Sequence, residues 1–140
     1  MTPRQIALVR GSYDRIAPQL SRIGASLCES LLRFHPELEE LVESEFTTQG
    51  SKWVAMLATV MSALDRPAQL HPIFFALGER HGLLGVRDEH YDIVGGALIT
   101  ALRPALDPML ATDAEAAWTA LYAEAAASMI AGARWRAKAS

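Results

Sequence analysis

Apolar residues recur along this chain at helical spacing from one end to the other, and no stretch alternates as a strand would. Thr2-Pro3-Arg4-Gln5 predicts a helix start: a threonine cap, a proline in the first turn and a glutamine three residues after the cap satisfy or avoid backbone N–H groups that have no partner within the helix. That helix runs to about Ala17. Pro18 interrupts it, and a second helix restarts near Gln19, carries Leu20, Ile23, Leu27 and Leu31 in register toward Phe34, and ends at Pro36. A short helical turn over 36–41 and a polar stretch over 43–48 lead into a longer helix over about 48–64, closed by Pro67.

On that longer helix Gln49, Trp53, Met56 and Val60 share one face, so a glutamine lies in line with three large apolar side chains. The next helix repeats the pattern with Leu70, Phe74, Leu77 and His81, and Gly82 is its expected C-terminal cap. Asp88 opens a further helix through Ile93, Ala97 and Ala101, which Pro104 kinks or ends, and Asp107-Pro108 makes the turn. Thr112-Asp113-Ala114-Glu115 predicts a capping box for the last helix, whose Trp118, Tyr122, Ala125 and Met129 share a face ahead of Arg134 and Arg136. Connections are short and there is no internal repeat or linker, so the expected architecture is all-α, with residues 1–140 forming one domain.

Charge and cysteine usage narrow the function classes. The net charge is -3, and the basic residues are dispersed except for Arg134, Arg136 and Lys138, which argues against a nucleic-acid partner, since phosphate binding needs a concentrated basic face. Cys28 is the sole cysteine and Thr2-Pro3-Arg4-Gln5 is no apolar leader, so the expectation is a cytoplasmic protein without disulfides. The longest apolar or neutral run, near 93–102, is far short of the ~18 residues a membrane span requires. HExxH, CxxC, Gly-rich phosphate loops and GxSxG are all absent, which removes the common hydrolase and nucleotide chemistries. There remains the histidine that ends an apolar stripe. Such a residue is more often a hydrogen-bonded core group than a metal ligand, yet one imidazole suffices to hold haem iron.

Three segments carry a family resemblance: Phe34-His35-Pro36-Glu37-Leu38, Gln49-Gly50-Ser51-Lys52, and Leu77-Gly78-Glu79-Arg80-His81-Gly82 running on to Gly85-Val86-Arg87-Asp88-Glu89-His90-Tyr91-Asp92-Ile93-Val94-Gly95. Over nearly its whole length the chain resembles the bacterial single-domain globins and the globin domain of flavohaemoglobins. The resemblance implies a globin fold of about seven helices packed around a haem pocket, with haem b as cofactor and His81 as the iron's proximal ligand. A distal glutamine 32 residues earlier maps onto Gln49, and Met56, Leu77, Val86 and Tyr91 join the implied pocket. Lys52 and Arg80 are placed to meet a haem propionate. His35, His71 and His90 are left as surface histidines.

The sequence departs from the family pattern at four positions. Cys28 stands where a distal tyrosine is usual, and a thiol is a weaker donor. Val42 replaces a phenylalanine that packs on the haem face, unless Phe46 takes that place, and Trp53 replaces a leucine or valine above the iron. Tyr91 is retained, but Ala133 stands where a late glutamate would help polarise the proximal histidine. What the resemblance implies is reversible binding of a diatomic gas, with Gln49 and the Trp53 indole as distal donors. It leaves open two alternatives, nitric oxide dioxygenase or peroxidase chemistry served by a separate reductase, and a sensor whose distal side Trp53 closes. A monomer and a homodimer fit the sequence equally.

Overall fold

The computed structural model describes residues 1–47 and 52–139, and these form helices and turns with no strand among them. Helix α1 (Pro3–Ile16) begins with the reciprocal cap read from the sequence: the Gln5 N–H donates to the Thr2 hydroxyl at 3.1 Å and the Thr2 N–H donates to the Gln5 side chain at 2.9 Å. A 3₁₀ turn, Ala17–Gln19, absorbs Pro18 and leads into α2 (Leu20–Phe34). After a second 3₁₀ turn at Pro36–Leu38 come the single-turn α3 (Glu39–Val42) and a wide π-type turn, Glu43–Thr47. Then follow α4 (Lys52–Ser62), α5 (Pro67–Leu83), α6 (Asp88–Leu102), a 3₁₀ turn at Arg103–Ala105 around Pro104, and α7 (Ala111–Ala139).

Four local expectations are corrected. Pro67 does not close a helix but opens α5, at a first-turn position where its missing N–H costs nothing. Gly82 remains helical, and the left-handed residue is Gly85, at φ 84°. Thr112 does not cap α7 but lies within its first turn, because the helix starts two residues earlier than expected, at Ala111: the Ala114 N–H donates to the Leu110 carbonyl at 2.8 Å, and the turn before it is held by the Asp107 carboxylate accepting from the Met109 N–H at 3.0 Å. His90 is not a surface residue. It is 3% exposed, and its Nδ1 accepts the Arg87 N–H at 2.9 Å, which satisfies a donor at the start of α6. The expected start of α4 near Thr48 lies outside the described residues.

Packing is closest between α5 and α7. A Cβ placed on Gly78 would lie 1.9 Å from the Met129 carbonyl oxygen, and one placed on Gly132 would lie 2.0 Å from that of Phe75, so only glycine allows the two backbones this approach. Helix α1 lies across α7, where the Trp118 indole donates to the Ser12 hydroxyl at 2.7 Å, and α2 crosses α6. Val9, Ile16, Leu27, Leu31, Val42 and Leu102 are essentially sealed from solvent. No helix among the described residues is long and apolar enough to cross a membrane.

Candidate functional site

The helices do not fill the space they enclose. A mostly apolar cavity of about 170 Å³ lies between the helices. Helix α4 supplies Trp53, Met56, Leu57 and Val60 to one wall. Helix α5 contributes Phe74, Leu77 and His81, α7, packed on α5, contributes Leu121, Ala125 and Met129, and α6 contributes Tyr91, Val94 and Leu98. Trp53, Met56 and Val60 of one periodic stripe, Phe74, Leu77 and His81 of the other, and the shared face of α7 all line this one space.

His81 and Glu45 are its chemically distinctive members. Glu45 projects from the π-type turn and is only 4% exposed. Its carboxylate accepts two hydrogen bonds from Arg80, from Nε and Nη2 at 2.9 Å each, and its Oε1 lies 3.2 Å from Nε2 of His81. Burial pushes the Glu45 carboxyl up, but the hydrogen bonds from His81 and Arg80 and their charges outweigh it and hold the group below the usual carboxylate range. Sequence reading missed this residue. It sits in a polar stretch with no apolar period, where solvent exposure is the ordinary expectation.

Tyr91 presents the other unusual group. Its ring is 3% exposed, and its hydroxyl is the buried side-chain polar atom without a hydrogen-bond partner among the described residues. Burial, with Asp88 nearby, pushes this phenol up to about 12. The backbone of Tyr91 is well fixed, since its carbonyl accepts the Tyr122 hydroxyl at 2.6 Å. Ala133 packs beside Gly82, next to the end of α5, and brings no polar atom to either His81 or Tyr91.

The structure brings together Trp53, Met56, Leu77, His81, Val86 and Tyr91 around the cavity, and leaves out Cys28, Val42, Lys52 and Arg80. From α2 it is Leu27 that reaches the cavity, while Cys28, one residue on, is half-buried beside it; burial pushes its thiol up, a backbone hydrogen bond partly offsetting this. Val42 is buried elsewhere in the core, and Phe46 lines the cavity in its stead, its ring centroid 5.6 Å from that of Trp53. Trp53 also leans on Gly24, where a Cβ would come within 2.7 Å of the indole nitrogen. Lys52 is exposed, and Arg80 is committed to Glu45. Gln49 lies outside the described residues.

Comparison with known proteins agrees with this architecture. Residues 33–129 match the globin family. The chain is 31% identical over 137 residues to a flavohemoprotein of Bordetella parapertussis and 28% identical over 133 residues to one of Deinococcus radiodurans, matches that take in 93% of this chain and 33% of each relative. It therefore spans about a third of the length of these relatives. A neuroglobin of Tetraodon nigroviridis is 26% identical over 139 residues, with 89% of this chain and 87% of that protein covered.

Proposed function

The chain belongs to the globin family, and from that premise we propose that it holds a haem, of the b type, in the central cavity through Nε2 of His81 and binds a diatomic gas there reversibly. Bound there, haem would supply the iron at which oxygen, nitric oxide or carbon monoxide is taken up. The observation that carries this reading is a single imidazole, that of His81, lining a mostly apolar cavity at the position where the resemblance puts the family's ligand. The residues present fit the group: apolar side chains from α4, α5, α6 and α7 exclude water from a flat hydrophobic ring, and the Arg80 guanidinium beside His81 is a cation suited to a propionate.

Each side of the cavity has its own task in this reading. On the α4 side Trp53 and Phe46 restrict the volume open to a gas molecule, and the resemblance assigns a distal donor to Gln49, which lies outside the described residues. On the α5 side Ala133 brings His81 no carboxylate from α7, and the Tyr91 hydroxyl has no partner among the described residues. A weakly polarised imidazole favours binding over turnover, so dioxygenase or peroxidase activity with a separate reductase is the secondary reading. The test is an absorption spectrum of the reduced protein before and after carbon monoxide. A Soret band that shifts on adding the gas supports reversible binding; a Soret band that stays put marks a pocket sealed by Trp53, and no Soret band removes the haem reading.

A further inference from the structure

We propose that Glu45 competes with haem for the pocket: its carboxylate holds the two groups the cofactor needs, Nε2 of His81 and the guanidinium of Arg80, so that haem capture proceeds by displacing Glu45 and the turn that carries it. The inference rests on the haem reading of His81. It goes beyond that reading in assigning a role to a buried carboxylate, that of Glu45.

The argument starts from exclusivity. Nε2 of His81 lies 3.2 Å from a carboxylate oxygen, and where that oxygen is the acceptor Nε2 carries the hydrogen and its lone pair is not free. Coordination through Nε2 requires that lone pair, and the ring reaches the competent tautomer when the hydrogen leaves Nε2 and Nδ1 carries one instead. The same carboxylate takes Nε and Nη2 of Arg80 in a two-bond fork, the geometry in which a guanidinium grips a propionate. Glu45 thus offers Arg80 what a propionate would offer and occupies the imidazole atom that iron would occupy.

The fold makes this competitor displaceable. Glu45 rides on the π-type turn Glu43–Thr47, a wide helical turn of the kind that recurs at functional sites, and not on either of the clasped helices α5 and α7. Its neighbour Phe46 enters the same cavity against Trp53, so one shift of the turn would move both side chains together. A charge this deeply buried is costly to leave without partners. Its release is therefore coupled to moving the carboxylate toward water.

The experiment measures the rate at which haemin is taken up by the full-length haem-free protein, read at the Soret band. It uses the wild type, Glu45→Gln, which keeps size and weakens the acceptor, and Glu45→Ala, with circular dichroism as a check on folding. Uptake faster by about tenfold or more in both variants is expected, because bonds to a charged partner no longer have to be broken first. Nitrogen-15 spectra of the haem-free wild type provide a readout that needs no variant: the hydrogen of His81 should reside on Nε2, and move toward Nδ1 in Glu45→Gln. Equal uptake rates, or an Nδ1–H tautomer in the wild type, overturn the competition while leaving haem binding standing. If neither wild type nor Glu45→Ala takes up haemin, both readings fall. If Glu45→Ala alone does, and loses it again when His81→Ala is added, the competition is supported in its strongest form.

Discussion

Two parts of the cavity lining, from α5 with α7 and from α4, are built by opposite means. On the α5–α7 side, Gly78 and Gly132 let backbone meet backbone, and His81 stands at the end of this clasp. On the α4 side, Val60 is the one buried residue that the helix contributes, and contact is made through large side chains, Trp53 against Gly24 and Phe46 against Trp53. Backbone contact leaves no slack, whereas side chains can change rotamer. The lesson is a division of labour: the wall bearing His81 is fixed, and the wall bearing Trp53 and Phe46 is adjustable.

Substitutions can break or sharpen that contrast. Gly78→Ala should have the largest effect, a loss of about 3 kcal/mol or more in urea unfolding, because the added methyl meets a backbone carbonyl that cannot give way. Gly11→Ala is its control: on the exposed face of α1 nothing lies within 4 Å, so a gain of about 0.5–1 kcal/mol is expected. Similar losses at both glycines would mean that helix propensity, and not the clasp, sets the cost. Tyr91→Phe removes a buried hydroxyl that has no partner, and should raise stability by about 1 kcal/mol; a drop in melting temperature would point to a bond through ordered water. Trp53→Leu should cost about 1 kcal/mol or less, since the indole is only half-buried. Its signature is kinetic, several-fold faster gas recombination after flash photolysis, and an unchanged rate would show that the indole does not limit access.

The all-helical fold was legible because each helix announces itself locally, by the Thr2–Gln5 cap, the proline breaks and the 3.6-residue stripes. The stripes also marked much of the cavity: Trp53, Met56, Val60, Leu77 and His81 were all read from periodicity or resemblance before any contact was known. Helix ends were less legible. Whether Pro67 ends one helix or starts another, and whether Gly82 or Gly85 turns left-handed, depends on neighbouring segments and not on the residue itself. Glu45 and the burial of His90 were not legible for a related reason. Glu45 is placed by tertiary partners, Arg80 and His81, and His90 by the backbone N–H of Arg87 that its ring accepts at the start of α6. A charged or polar residue without periodicity carries no sign of the partner that will bury it.

The central claim, that the imidazole at the end of the fixed wall holds the cofactor, is tested most directly by the pigment of purified His81→Ala compared with the wild type, at equal helix content. The account predicts that the wild type retains haem with a Soret band and that the variant folds but loses most of it. Haem content and spectrum left unchanged by the substitution would contradict it.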